Sequence, residues 1–411
     1  MSRLRFRMVI AGAAAVLLVL AAGPGLAQTG GAPAKEEAKS WMDIYGFAML
    51  DTGFNFTQIH PDWSDTMRVS KLPAYKDEFG KDGNWFAGVR QTRFGVKTST
   101  PTALGDLKTQ FEFELFGTGV DSGQTTFRLR HAYGELGAFG AGQTWSPFMD
   151  PDVFPNSLEY WGPTGMVFFR NVQVRWMPIK GDSHLTLAIE RPGASGDQGI
   201  YSDRIELQGM TGRFPMPDIT GEYTYGRKWG YVRVAGALRR IYWDDAQTDQ
   251  YDLSGSATGW GLNFSSNLKP TKRDVIRLQF VYGEGIENYM NDAPVDIGIV
   301  NNFSDPLKPI LGKPIPIMGT VVFLDHAWND KFSSTIGYSR TDIDNTEGQA
   351  PDAYRTGQYL LGNLLYTPVP NVMMGGEFQW GQRANFSDGF KSNGYKIQFS
   401  FKYNFSHRLG G

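Results

Sequence analysis

The last strand-like stretch of the chain, Tyr395 to Phe405, reads YKIQFSFKYNF, and its side chains sort into two classes without exception. Tyr395, Ile397, Phe399, Phe401, Tyr403 and Phe405 share one face; Lys396, Gln398, Ser400, Lys402 and Asn404 share the other. Successive strand side chains point to opposite sides of a sheet, so this segment has one apolar, aromatic face and one wet face. A soluble sheet seldom spends aromatics on nearly every apolar position. A strand of about 9–11 residues with aromatic girdles is what a transmembrane β-barrel needs to cross the outer membrane. The segment is therefore expected to be the closing strand of such a barrel, and the rest of the chain is tested against that expectation.

The beginning of the chain carries an export pattern. Arg3, Arg5 and Arg7 precede an apolar run from Met8 to Ala22, and Gly25-Leu26-Ala27 supplies small residues for cleavage. Residues 1–27 read as a removable signal peptide, since the run falls short of the roughly 20 residues of a membrane-spanning helix. Residues 28–40, QTGGAPAKEEAKS, form a flexible polar linker that cannot bury a core. No second long apolar run follows, as expected of a barrel, which crosses with strands. With no cysteine, an exported chain of this length must be held by something other than disulfides, and a closed hydrogen-bonded barrel suffices. A formal net charge of −2 argues against a nucleic-acid partner.

Alternating segments recur to the end of the chain, joined by connections of two kinds. The short ones fall at Thr100–Ala103, Pro178–Asp182, Lys228–Gly230, Lys269–Lys272, Asn329-Asp330 and Pro368–Asn371. The long ones are His60–Asn84, Gly117–Gln124, Trp145–Pro163, Arg191–Pro217, Asp244–Ala257, Glu287–Pro316, Asp342–Arg355 and Asn385–Asn393. Short periplasmic turns and longer outer loops are the asymmetry of an outer-membrane barrel. The pattern predicts an all-β fold: a 16-stranded antiparallel transmembrane β-barrel over residues 41–405, with a short tail at 406–411. The first strand, Asp43–Phe56, is ambiguous in phase. Ile205–Phe214 alternates like a strand but is assigned to a long loop to keep the strand number even.

Assigning faces brings out the inner wall. Glu112 and Glu114 oppose Phe111, Phe113 and Leu115; Arg128 and Arg130 oppose Phe127, Leu129, His131 and Tyr133, which puts His131 on the outer face. By the same alternation Arg175, Arg233, Arg239 and Arg277 face inward, and Arg93 neighbours Arg128 and Arg130. Lys396 and Lys402 add to the positive side of the lumen. A guanidinium keeps its charge and offers a planar fork to carboxylate or phosphate oxygens, so a ladder of them can pass an anion along a pore. The competing reading is that these arginines simply pair with Glu112, Glu114, Glu135, Glu190 and Glu377.

The connection from Trp145 to Pro163, WSPFMDPDVFPNSLEYWGP, has the proline and aromatics of a packed segment. As the third long loop it is expected to fold into the barrel and narrow it, with Asp150, Asp152 and Glu159 facing the arginines across the lumen. A calcium site on Asp150 and Asp152 lacks the ligand density of a calcium loop, so no metal is expected.

FRLRHAYGEL, followed by FGAGQTWSPFMDPDVFPNSLEYWGP and FFRNVQVRW, resembles the DcaP-type outer-membrane porins. The likeness is densest from Trp85 to Trp176. It implies a trimeric sixteen-stranded barrel that takes up small dicarboxylates past an arginine-lined constriction, and it adds Arg170 to Arg93, Arg128, Arg130 and Arg175 as pore residues. Two departures stand out. Family members often carry a periplasmic coiled coil, for which residues 28–40 are too short, and the chain continues as SHRLGG past Phe405.

The function expected is thus diffusion of small anionic solutes, dicarboxylates foremost, with outer-membrane lipid around the barrel and no cofactor. A phosphate or general anion porin shares every feature but the solute. An outer-membrane barrel enzyme is the reading from another class. It would need a nucleophile and a positioned base, but the five histidines are scattered and no GxSxG or HExxH motif occurs.

Overall fold

The computed structural model describes residues 39–411. The signal segment and nearly all of the linker lie outside the described residues. Sixteen strands make up the wall. The first is β1, Trp41–Asn55; β2 runs in two pieces, Asn84–Gly88 and Arg93–Thr102. Then come β3 (Gly105–Phe116), β4 (Thr125–Leu136), β5 (Phe139–Trp145), β6 (Arg170–Ile179) and β7 (His184–Glu190). Strand β8 is again in two pieces, Met210–Arg213 and Asp218–Arg227, followed by β9 (Gly230–Asp245), β10 (Gly255–Leu268) and β11 (Asp274–Glu284). The last five are β12 (Pro316–Ala327), β13 (Phe332–Ile343), β14 (Tyr354–Tyr366), β15 (Val372–Asn385) and β16 (Lys391–Gly410).

Neighbours in sequence pair antiparallel throughout, and β16 returns to pair with β1 from Trp41↔Gly410 to Asn55↔Lys396. Closure leaves no sheet edge, which is the condition for a sheet to sit in hydrocarbon. The short turns lie at one end with both chain ends of the barrel, and the eight long connections lie at the other. Between β11 and β12 the long connection carries its own small hairpin, Ile297–Asn301 with Ile310–Pro314.

The wall is apolar outside. Phe94, Phe111, Val174, Ile189, Val234, Phe264, Phe280 and Phe399 are all exposed, alternating with buried neighbours such as Glu112, Glu190, Ala235 and Gln398. A cation at the middle of the lipid-facing band costs about 2–4 kcal/mol, so arginine is driven to the inner face. Inside, apolar side chains of the long loops (Met67, Val69 and Leu72; Phe148, Met149 and Val153; Tyr289 and Met290) pack on Val281, Val321, Phe323 and Tyr359 of the wall.

The structure differs from the sequence expectations at several points. A turn at Gly137-Ala138, between β4 and β5, has no proline or charged cluster to mark it and was not anticipated. Part of Ile205–Phe214 is strand after all: Met210–Arg213 pairs with the top of β9 and is the outer piece of β8, so the even number survives. The closing strand carries on through Gly410, because Ser406 to Gly410 find partners in Trp41 to Tyr45, and only Gly411 is left beyond it. Strand β1 is ambiguous in phase for a physical reason: its inward face carries Tyr45, Phe47 and Met49 in a row between Asp43 and Asp51, so its middle is apolar on both sides. His131 is inward and buried, not outward. The β3–β4 register shifts between Glu112 and Phe113, leaving Arg130 without a partner, and this bulge turns Arg130 and His131 to the same side.

Candidate functional site

Strands β2, β3, β4 and β6 bring four arginines to two glutamates near the long-loop ends of β3, β4 and β6. Glu114 is the hub. Arg130 Nη1 lies 2.6 Å from Glu114 Oε2, Arg93 Nη2 3.4 Å from the same oxygen, and Arg128 Nη1 and Arg170 Nη2 each 3.6 Å from Oε1. Glu112 takes Arg130 Nε at 2.6 Å and Arg93 Nε at 3.6 Å, and accepts the Tyr45 hydroxyl at 2.8 Å. These distances follow from the strand period: Glu112 and Glu114 are two residues apart on β3, and Arg93 and Arg128 sit opposite Glu114 on its two neighbours. Arg170 leans on the Trp145 ring, 4.9 Å from its centroid.

Four guanidinia on two carboxylates leave an excess of two positive charges. The side chains of Arg128 and Arg93 keep 32 % and 25 % of their surface exposed, whereas Arg130 and Arg170 keep 6 % each. The cluster therefore has a buried pair, of which Arg130 is hydrogen-bonded to both carboxylates and Arg170 keeps a buried Nη1 without a hydrogen-bond partner, and an outer pair that stays part exposed. Pairing with Glu112 and Glu114 is thus present in this group, alongside guanidinium surface that stays part exposed.

The other arginines differ in setting. Arg175 donates to Gln173 Oε1 from Nε at 3.0 Å and to the Trp145 carbonyl from Nη2 at 2.6 Å, over the Tyr133 ring. It has no carboxylate partner among the described residues. Arg233 donates from Nη2 to the carbonyls of Pro147 and Met149, at 2.7 and 2.8 Å, and so holds a loop, with its Nε 3.8 Å from Glu222. Arg277 pairs with Asp325 at 2.6 Å and also donates to the Asp152 carbonyl. Arg239 is sealed between Asp218 at 2.9 Å and Asp296 at 2.8 Å, with only 1 % of its side chain exposed.

The segment between β5 and β6 bonds to inward side chains on widely separated strands. Asn263 of β10 donates to the Phe148 carbonyl at 2.8 Å; Glu377 of β15 accepts the backbone N–H groups of Leu158 and Glu159 at 2.8 and 3.0 Å. Thr335 of β13 and Asn363 of β14 both donate to the Asn156 carbonyl, at 3.0 and 2.9 Å. Tyr160 stacks on Phe116 with ring centroids 3.7 Å apart and donates to Glu114. The same segment lies flush on the wall at Gly165, where an added Cβ would meet the Arg340 carbonyl oxygen.

Its acids do not face the arginine cluster as expected. Asp150 is buried and accepts the hydroxyls of Tyr231 at 2.7 Å and Ser265 at 2.5 Å. Glu159 pairs at 3.0 Å with Lys396, which is wholly buried and so adds no charge to an open surface. Asp152 contributes its carbonyl, to Asn267 at 2.7 Å. The carboxylates at the cluster's arginines, Glu112 and Glu114, come from the wall itself, while Asp150 and Glu159 are engaged in fixing the loop.

Sequence reasoning missed Arg68, Tyr45 and Tyr160. Arg68 lies between the Trp63 and Trp161 rings, 4.5 and 4.3 Å from their centroids, and pairs with Asp292 at 3.1 Å. The signal was present in the connection after β1, where Trp63, Met67, Val69 and Leu72 are too apolar for a solvated loop.

A closed sixteen-stranded barrel with an apolar belt, long loops at one end and an inward arginine cluster defines an outer-membrane β-barrel of the porin type. The family model for the DcaP outer membrane protein matches residues 42–405, and the chain belongs to that family. The fold is similar to the crystal structure of the outer membrane channel DcaP of Acinetobacter baumannii, with 20 % identity, 91 % of this chain and 100 % of that chain covered, and a TM-score of 0.76. It is also similar to an anion-selective porin from Comamonas acidovorans, at 9 % identity with 89 % and 100 % of the chains covered and a TM-score of 0.58. The trimer form of OmpT of Vibrio cholerae follows at 12 % identity, 89 % and 99 % coverage and a TM-score of 0.53. No curated protein matches the chain in sequence.

Proposed function

We propose that the protein is an outer-membrane diffusion channel for small anionic solutes, dicarboxylates foremost, which pass the cluster of Arg93, Arg128, Arg130 and Arg170. The observation that carries this reading is the charge imbalance at Glu112 and Glu114: four guanidinia share two carboxylates, and two of the four remain part exposed. A passing carboxylate loses water and gains charge-assisted hydrogen bonds from Arg93 and Arg128. Arg130, anchored by Glu112 and Glu114, and Arg170, buried against the Trp145 ring, hold the site positive from behind. Excess charge in a cleft with low-dielectric walls also raises the local anion concentration. Arg175, and to a smaller degree Arg233 and Arg277, extend the positive wall.

The DcaP channel and the anion-selective porin whose folds resemble this one support a channel rather than an enzyme. The segment from Trp145 to Pro163 is read as the constriction, export as the work of residues 1–27, and the assembly as a homotrimer.

Planar-bilayer recording of the purified protein tests the reading. In a KCl gradient the reversal potential is expected on the anion-selective side, and succinate is expected to interrupt the KCl current. Cation selectivity, with no effect of succinate, would sink it. A phosphate or general anion porin is distinguished by the same recording, because phosphate would then interrupt the current at least as well as succinate.

A further inference from the structure

A second group of cations lies at the long-loop end, apart from the cluster on Glu114. Arg68 and Lys71 of the connection after β1 and Arg383 of β15 line one depression together with Tyr354, Gln349 and Asp197. The partners of each charge can be followed one by one. Asp292 is fully engaged by Arg68 Nε at 3.1 Å and the Ser70 backbone N–H at 2.7 Å. Arg383 reaches only neutral oxygens: the carbonyls of Ser70 and Asp352 at 2.8 and 2.7 Å, and Asn385 Oδ1 at 3.0 Å. Asp197, the one carboxylate that lines the depression, accepts Gln349 Nε2 at 3.0 Å and the Gly199 backbone N–H at 2.8 Å. Lys71 Nζ has neither an ion pair nor a hydrogen bond among the described residues.

The two guanidinia beside Lys71 are held in place. Arg68 is clamped between two tryptophan rings, and Arg383 is fixed by three acceptors. Half-burial first, then the guanidinia of Arg68 and Arg383, outweigh the Asp292 and Glu78 carboxylates and hold the Lys71 ammonium below the usual lysine range. An anion seated on Lys71 would offset that repulsion and find the neighbouring charge already in place.

We propose that Lys71, backed by Arg68 and Arg383, is an anion-docking site at the extracellular mouth, where it takes a carboxylate group of the incoming solute before the solute reaches Arg93 and Arg128. The proposal rests on the channel reading and adds a capture step to it. Docking at the mouth acts on the rate of arrival from that side, whereas the deeper cluster acts on selectivity from both sides.

The test is succinate block of single channels inserted in one orientation, with succinate added to either side. In Lys71→Gln the association rate from the long-loop side is expected to fall about threefold, and in Lys71→Glu about tenfold. The rate from the short-turn side is expected to stay the same, and Lys71→Arg to restore the wild-type rate. Wild-type protein offers a check that needs no variant: the association rate should fall more steeply with salt from the long-loop side than from the other. Rates that change equally from both sides, or not at all, or equal salt slopes, overturn the docking site. The channel reading would survive that outcome if the wild type is anion-selective and Arg128→Gln lowers the selectivity. A wild type without anion preference would overturn both.

Discussion

Two arginine–carboxylate groups inside this barrel look alike in sequence and behave oppositely in the fold. Around Glu114, four arginines crowd two glutamates and two of them keep part of their surface. Around Arg239, one arginine is enclosed by Asp218 and Asp296, with a further bond to the Gly285 carbonyl at 2.6 Å. The first group carries an excess of positive charge that a passing anion can use. The second is charge-compensated and closed, and it ties the wall at β8 and β9 to the long connection after β11. Inward alternation places both kinds of arginine; what separates them is the number of carboxylates within reach and whether a loop covers them.

The largest expected effect breaks the closed group. Arg239→Met leaves Asp218 and Asp296 buried and uncompensated, and the barrel should lose about 3–5 kcal/mol. Urea titration of the refolded barrel, followed by tryptophan fluorescence, measures it. A loss below about 1 kcal/mol would remove the distinction between the two groups. Next comes Glu114→Gln, which takes away a carboxylate shared by four guanidinia. A loss of about 2–4 kcal/mol is expected in the same titration, since the cluster's repulsion is no longer balanced. If stability is unchanged, Glu114 is not the hub that its distances indicate.

The open group responds in function more than in stability. Arg93→Gln with Arg128→Gln should cost about 1 kcal/mol or less, because their contacts to the carboxylates are long, at 3.4–3.6 Å, and Glu112 and Glu114 keep Arg130 and Arg170. The anion-over-cation permeability ratio should fall several-fold in a KCl gradient. An unchanged reversal potential would confine both residues to structural pairing. The smallest effect concerns a buried acid in the connection after β11. Glu287 is wholly buried and neither carboxylate oxygen has a hydrogen-bond partner; burial first, then the Asp296 carboxylate, push its carboxyl well above the usual range. Its folded value is raised, so its contribution to stability is full at low pH and is lost as pH rises through the folded value. Glu287→Gln should therefore flatten the decline of stability with rising pH. An identical pH slope in wild type and variant would show that Glu287 ionises freely.

Much of the wall was legible because period-two alternation is a local property. The closing strand, the eight long connections and the inward faces of β3, β6 and β9 follow from the spacing of apolar residues alone. The inward arginines follow too, since the lipid face excludes them. Reading failed where the pattern loses contrast or breaks. The inner face of β1 is apolar from Tyr45 to Met49, and one extra residue at Arg130 reverses the expected side of His131. The gap Phe214–Pro217 conceals that Met210–Arg213 and Asp218–Arg227 are one strand, and the turn at Gly137-Ala138 lacks any strong breaker.

The kind of object is written in the order of residues alone: a closed antiparallel barrel with an apolar belt, one end of short turns and one of long loops, and arginines turned inward. Alternation and the cost of placing charge in hydrocarbon act on each strand separately, so no distant residue needs to be known. Only the tertiary structure decided which arginines are spent and which are open. That depends on partners hundreds of residues away, as when Lys396 meets Glu159 or Arg68 meets Asp292. Coulomb energy and burial depend on distance in space, and the strand period carries no record of where a loop comes to rest.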